Sequence, residues 1–374
     1  MSSDLRILVS TGEPSGDLHA APVVRSLQDQ LPGLQVDALG GTALEKAGAL
    51  IRYPASERGV LGLAEILSSI PRHLALLRKL GRDFRAGRYH LLLAVDYPGF
   101  NLRLAERARQ AGVPVLYYIP PKHWATRSRL TPRLGRAVNR LACIIPFEPD
   151  FFRRFGIPAE YVGHPLLDRP PPPSREEARR RLGLSPAGRV LALFPGSRAQ
   201  EVERHWPRFR EAGRLLLAGR KCDRIVVAGL PGMGYPDPGP IQVIEDRSCE
   251  LMAAADAGLV KSGTTTLEAA LTGMPMVVAY RVHPLTAAVA RRLLLIPWIS
   301  LVNLIAEAPV VPELLQEQAE PERLAAAITP LLEPGSTAAG EQQVGFTTVR
   351  TRLGGPGAAQ RVAFLARGLL QGAG

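Results

Sequence analysis

Leu193-Phe194-Pro195-Gly196-Ser197-Arg198 joins two patterns of opposite kind. Before the glycine, residues 190–194 form an unbroken apolar run, which reads as a strand buried on both faces. After it, Val202, Trp206, Phe209 and Ala212 recur at helical spacing, with Glu201 opening the segment. A strand therefore hands over to a helix through a Pro-Gly-Ser turn. Gly196 lets the backbone come close to a ligand, the first helical amides have no intrahelical partner, and Arg198 adds a planar cation suited to phosphate. These are the parts of a diphosphate cradle, with Gly196, Ser197 and Arg198 as its residues. The plain alternative is a structural turn with a solvated arginine.

A second turn of the same kind favours the cradle. Lys261-Ser262-Gly263-Thr264-Thr265-Thr266 again follows an apolar run, residues 257–260, and precedes a helical segment. Ser262, Gly263 and Thr264 present free helical amides, and Glu268 is spaced to accept hydrogen bonds from ribose hydroxyls. Alone it would be a threonine-rich helix cap; two such turns in one half point to a ligand carrying phosphate.

The rest of the chain repeats the alternation. Arg169-Pro170-Pro171-Pro172-Pro173-Ser174 is an extended linker that can join no sheet, so it divides residues 1–168 from 175–345. Residues 346–374 form a helical C-terminal segment after these two α/β domains. On both sides of the linker, strands alternate with helices as in a mostly parallel, doubly wound sheet. Residues 5–9 are the first strand, leading into Ser10-Thr11-Gly12-Glu13-Pro14-Ser15-Gly16-Asp17. Open α/β sheets place ligands at such strand ends, and the G-x-G-x-x-G spacing of a dinucleotide site is lacking. Asp96 stands at another strand end, in Val95-Asp96-Tyr97-Pro98-Gly99-Phe100-Asn101, where a carboxylate suits a general base. Leu63, Ile66, Leu67, Ile70, Leu74 and Leu77 follow helical spacing, with Pro71 dividing the stretch and basic residues on the other face. Such a face packs on a sheet or docks at a lipid interface. His123, in a loop after residues 113–119, is a candidate for titration near neutrality.

At 374 residues the chain is long enough for two full cores. The formal charge of +12 comes almost wholly from arginine, with five lysines, and no basic-aromatic RNA motif accompanies it. It favours phosphorylated substrates and acidic membrane surfaces over nucleic acid. Three scattered cysteines suggest neither disulfides nor a metal knuckle. The longest apolar run, residues 293–305, is broken by Pro297 and Asn303 and is shorter than the ~20 residues of a spanning helix, so the chain is expected in the cytosol.

Two doubly wound halves with cradles in the second resemble a GT-B glycosyltransferase, two Rossmann-like domains facing a cleft; there is no Asp-x-Asp, which the metal-dependent GT-A class would need. The stretches 10–17, 59–67, 96–101, 146–151, 162–168, 194–202, 262–268, 275–281 and 300–305 fall in the order and spacing of lipid-A-disaccharide synthase. The resemblance implies inverting transfer of 2,3-diacylglucosamine from UDP to the 6-hydroxyl of 2,3-diacylglucosamine 1-phosphate, without cofactor or metal. It implies roles in activity for Asp96 and Glu13, and places Arg198, Glu268 and Asn303 around the UDP. It further implies a peripheral enzyme at the inner face of the cell membrane, and a homodimer with exchanged C-terminal segments, or a C-terminal helix that crosses back. Leu63, Ile66, Leu67, Ile70, His123 and Trp124 are the candidates for acceptor or membrane contact. The family's Ser-Pro-x-x-Trp-Ala-Trp is Pro120-Pro121-Lys122-His123-Trp124-Ala125-Thr126 here, and its second acid after the aspartate is Gly99. Rival readings are a GT-B isomerase such as a UDP-N-acetylglucosamine 2-epimerase, a transferase with another lipid acceptor, and a non-catalytic nucleotide-sugar binder.

Overall fold

The computed structural model of the chain describes residues 5–54, 63–126 and 129–372, without the side chains of 63–70 and Arg291. It divides into two units, one holding everything to Arg169 together with the chain from Gly355 onward, the other Pro170–Gly354.

The first unit is built on seven parallel strands: β1 (Arg6–Ser10), β2 (Gln35–Gly40), β3 (Leu50–Pro54), β4 (Leu91–Val95), β5 (Val115–Tyr118), β6 (Arg140–Cys143) and β7 (Ala159–Tyr161). Their spatial order is β3-β2-β1-β4-β5-β6-β7. Helices α1 (Pro14–Gln30), α2 (Thr42–Lys46), α3 (Leu63–Arg85), α4 (Pro98–Gln110), α5 (Thr131–Ala137) and α6 (Glu148–Arg153) alternate with them. The order reverses between β1 and β4, so the loops leaving these neighbouring strands diverge and open a crevice at their carboxyl ends. The middle strand β4 is fully apolar because helices cover both faces of the sheet.

The second unit repeats the plan with β8 (Val190–Phe194), β9 (Arg224–Gly229), β10 (Gln242–Glu245), β11 (Ala257–Lys261), β12 (Met276–Tyr280) and β13 (Glu313–Leu315), in the order β10-β9-β8-β11-β12-β13. Its helices are α7 (Arg175–Arg181), α8 (Ala199–Ala218), α9 (Ser248–Ala254), α10 (Thr264–Thr272), α11 (Pro284–Leu293), α12 (Leu301–Ala306), α13 (Pro321–Ile328) and α14 (Thr337–Leu353). The reversal lies between β8 and β11, which are direct neighbours, and it is these strands that feed the two glycine turns. Trp206 and Phe209, read as helical core positions, are buried on α8 against this sheet.

Two details depart from the sequence reading. Pro71 does not divide its segment: α3 is one helix from Leu63 to Arg85, with Leu77, Leu80 and Phe84 packed into the core and Leu74 exposed. The boundary drawn between residues 345 and 346 falls inside α14, which runs to Leu353, whereas the Gly-Gly-Pro-Gly at 354–357 read as a break is one. The chain turns at Gly354-Gly355-Pro356-Gly357, where Gly354 and Gly357 have positive φ, and α15 (Ala358–Leu370) packs on α1 in the first unit. Among the described residues, no helix is long and apolar enough to cross a membrane.

The N-terminus of α15 has no capping side chain of its own. Asp168 supplies one, its carboxylate accepting hydrogen bonds from the amides of Gly357, Ala358 and Ala359. Three otherwise unpaired donors are satisfied by one anion at the positive end of the helix. Asp168→Ala should therefore lower the unfolding free energy by about 1–2 kcal/mol in urea denaturation, with Asp168→Asn recovering part of the loss. An unchanged midpoint for the alanine variant would remove this cap from the account.

Candidate active site

In the first unit the crevice between β1 and β4 holds Gly12 and Glu13 from one loop and Asp96 and Tyr97 from the other. Asp96 and Tyr97 both adopt left-handed backbone, with φ of 48° and 51°. Two such non-glycine residues in succession cost about 1–3 kcal/mol each and persist only where their surroundings fix them. Asn101, fully buried on the first turn of α4, does most of this. Its amide nitrogen donates to the carbonyls of Ser10, Val95 and Asp96, and its oxygen accepts from the Ser10 hydroxyl at 2.6 Å. The Tyr117 hydroxyl donates to the Asp96 carbonyl at 2.7 Å. Asp96 is thus held rigidly at the tip of β4, half-exposed at the crevice.

The Tyr97 ring lies over Gly12: a β-carbon there would sit 2.0 Å from its Cγ, so only glycine allows this approach. The Tyr97 hydroxyl is 3.1 Å from His73 Nε2 on α3. Burial first, and the nearby Glu13 carboxylate second, raise the Tyr97 pKa. Glu13 is therefore placed beside the Tyr97 ring, and Asp96 beside Tyr117. Asp17, also an acid of the first loop, has another duty: its carboxylate accepts from the amides of Gly41 and Ala43 and caps α2.

In the second unit the two glycine turns are tied together by an ion pair that the sequence reading missed. Glu201, on the first turn of α8, accepts from the Ser197 amide through Oε2 at 3.0 Å and from Lys261 Nζ through Oε1 at 2.6 Å. Burial alone would raise the Glu201 carboxyl, but the bond to Lys261 and its charge outweigh this and hold it below the usual carboxylate range. Gly196 has a φ of 141°, and a β-carbon on it would lie 2.5 Å from Glu201 Cβ. The glycine is required by this packing as well as by any ligand.

Behind the pair, buried His205 joins α8 to the end of β12. Its Nε2 accepts from the Arg281 amide at 3.0 Å, which leaves Nδ1 to donate to the Glu201 carbonyl at 2.7 Å. The Lys261 ammonium also lies over the Tyr280 ring, 5.7 Å from its centroid. On the other side, the Ser262 hydroxyl donates to the Ile299 carbonyl, and Glu313 accepts from the amides of Ile299 and Ser300 and from the Asn303 side chain.

Several expected site residues occupy different places. Asn303 is buried, and its amide is committed to the Val311 backbone in both directions besides Glu313. These bonds brace α12 against residues 311–313. The Ser197 amide, expected to be open, is taken by Glu201. His123 is buried beside Thr131, its ring nitrogen 3.1 Å from the hydroxyl, and burial lowers its pKa away from neutrality. Trp124 donates its indole N–H to the buried Glu148 carboxylate and packs edge-on against Phe147, which makes it a core residue. Leu63, Ile66, Leu67 and Ile70 lie on α3, but their side chains are outside the described residues. Arg198 and Thr264 are exposed at the mouths of the turns, with Gly263 and Glu268 half-buried. Among the described residues, no group of three or more His, Cys, Asp or Glu is arranged to hold a metal ion.

A signal for the missed pair was available. Lys261 is one of five lysines in a chain that uses arginine everywhere else, and it stands inside a phosphate-type turn. Asn101, Tyr117 and Glu313 carried no comparable mark, because a buried polar hub resembles any other isolated polar residue in sequence.

The family model for lipid-A-disaccharide synthetase matches residues 7–361. The chain is 44% identical over 368 residues to the lipid-A-disaccharide synthase of Anaeromyxobacter dehalogenans, covering 96% of each chain. In structure it is similar to the UDP-GlcNAc 2-epimerase of Neisseria meningitidis bound to UDP-GlcNAc, with a TM-score of 0.66, 12% identity, and 98% and 100% of the two chains covered. It is likewise similar to the glycotransferase of kitacinnamycin, with a TM-score of 0.62, 16% identity, and 97% and 98% covered. At such identities the structural likeness establishes the GT-B fold and leaves chemistry to the sequence relatives.

The buried histidines set a pH dependence. Burial chiefly lowers His19 and His205 from 6.5 to about 4, and His164 to about 3. Unfolded, each takes a proton near its ordinary value; folded, it does so only at lower pH. Stability present above pH 6.5 is therefore lost progressively as pH falls toward about 4. Glu148, raised to about 7 chiefly by burial, acts in the opposite sense, one group against these three and His123, which burial also lowers. The denaturation midpoint should be lower at pH of about 5 than at about 7.5, and His205→Gln should narrow the gap. A higher midpoint at the acid pH would show that the histidines are not held neutral.

Proposed function

The chain belongs to the lipid-A-disaccharide synthase family, and we propose that it transfers 2,3-diacylglucosamine from UDP to the 6-hydroxyl of 2,3-diacylglucosamine 1-phosphate with inversion. The observation that carries this reading is that one family match, residues 7–361, takes in the Asp96 tip and both turns of the second unit. A 2-epimerase shares the fold at 12% identity, whereas the 44% relative is a synthase, so the transfer is preferred.

In this reading the acceptor oxygen attacks the anomeric carbon and its proton passes to the Asp96 carboxylate. The bond from that carbon to the β-phosphate oxygen breaks, and UDP departs with the electron pair. Glu13, beside the Tyr97 ring, orients the acceptor. In the second unit the amides of Gly263 and Thr264 at the start of α10, with Arg198 at the start of α8, meet the negative charge that develops on UDP. Glu268 receives the ribose hydroxyls. Ser262 and Asn303 act at one remove, by fixing the chain at residues 299–300. Acylated substrates make the inner leaflet the natural working surface, and the family's homodimer is adopted as the assembly.

Asp96→Asn keeps the side chain's size and removes the base. Turnover should fall by roughly 10²–10⁴-fold with UDP affinity unchanged in calorimetry. Turnover within tenfold of wild type would take Asp96 out of the mechanism.

Arg198→Ala should weaken UDP by on the order of tenfold or more and leave uridine nearly unaffected, because a charge-assisted hydrogen bond contributes ~1.5–3 kcal/mol and is made to phosphate only. Equal weakening of both ligands would contradict the assignment.

A further inference from the structure

Helix α11 is built inside out. In a surface helix of a soluble domain the large apolar residues face the core. Here Ala287 is the buried residue, while Leu285 is 73% exposed, Val289 57% and Leu293 44%. These three stand at i, i+4 and i+8, one continuous stripe. Beyond the helix Leu294 and Leu295 are exposed as well, the latter at 55%. A small alanine seats the helix on the second unit and the large side chains point to solvent.

Within the stripe's own segment of chain the charges have one sign, although Arg281 at its start is paired with Glu320. Residues 281–306 contain Arg281, Arg291 and Arg292 and not one Asp or Glu. Arg292 is exposed between Val289 and Leu293. An apolar stripe with cationic neighbours and no acid is complementary to an anionic lipid surface, where leucines enter the headgroup boundary and arginines meet phosphates. A protein partner would be expected to face some acid in return.

Both ends of the excursion are pinned to the glycine turns. Where it begins, the Arg281 amide is held by His205, which also bonds to the Glu201 carbonyl. Where it ends, the Ile299 carbonyl accepts from Ser262. We propose that α11 and residues 294–295 are the surface by which the second unit docks on an anionic bilayer, which sets the turns beside the lipid from which acylated substrate is drawn. This rests on the reading of the chain as an enzyme of acylated sugars, but it concerns a surface that binds lipid whether or not transfer occurs.

The test compares wild type, L285S/V289S/L295S and Arg292→Glu by co-sedimentation with vesicles of phosphatidylcholine alone or mixed with phosphatidylglycerol. Wild type should bind the mixed vesicles; the triple variant should lose at least tenfold in partitioning with its melting temperature unchanged. Arg292→Glu should lose affinity for mixed vesicles and little for neutral ones. Vesicle binding by the triple variant equal to wild type, or no binding by wild type, would overturn the proposal. Binding unchanged with a smaller assembly mass in light scattering would assign the stripe to a second copy and also overturn it. Transfer to a short-chain, water-soluble acceptor is measured in parallel and should be equal in wild type and triple variant. Its absence in both would sink the enzymatic reading while the vesicle result still judges α11.

Discussion

The second unit depends on one carboxylate. Positive ends gather at the unit's two glycine turns: the starts of two helices, Arg198 at one and Lys261 at the other, all at the tips of adjacent strands about 5 Å apart. Like charges so placed repel, and Glu201 is the resident negative charge that lets them be held together. Each of its oxygens takes one turn, Ser197 on α8's side and Lys261 on β11's. A half-buried pair of this kind adds little net stability, since desolvation offsets much of the attraction. Its effect is geometric: the two turns cannot shift against one another without leaving a buried charge unpaired. His205 extends the restraint to the end of β12 through a neutral ring whose two nitrogens are both used.

The first unit solves its positioning problem without ions. Asp96 and Tyr97 are forced into left-handed backbone by Asn101 and Tyr117, which bind the Asp96 carbonyl and leave the restraint of the residue independent of its side chain. The strain is tolerable because the hub is buried, and buried amide hydrogen bonds are costly to break. Gly12 allows the Tyr97 ring to close over the first loop, so the loops after β1 and β4 are fixed relative to each other by contact as well as by hydrogen bonds.

This difference explains what was legible in the sequence. The parallel sheets were, because their central strands are buried on both faces and appear as unbroken apolar runs such as residues 190–194. Two of the four edge strands were not: β3 alternates exposed and half-buried residues and β13 has three half-buried ones, so neither has an apolar run. The two glycine turns were legible from their composition. Their bracing was not, since Glu201 read as an ordinary first-turn acid and the bond from Asn303 to Glu313 leaves no mark in the sequence. His123 and Trp124 looked like loop residues because the loop's prolines hide that both side chains turn inward, Trp124 to the buried Glu148.

The topology makes the sites recur in this form. In each unit the chain order reverses at one strand pair, β1 with β4 and β8 with β11, and only there do successive loops diverge enough to leave a crevice. The same backbone geometry then serves opposite electrostatic ends. At β8 and β11 helix starts and cations collect, which suits a departing diphosphate. At β1 and β4 the loops bring Glu13 beside the Tyr97 ring. Bracing by the Asn101 amide and the Tyr117 hydroxyl is done with neutral dipoles, and it holds the backbone of Asp96 through its carbonyl.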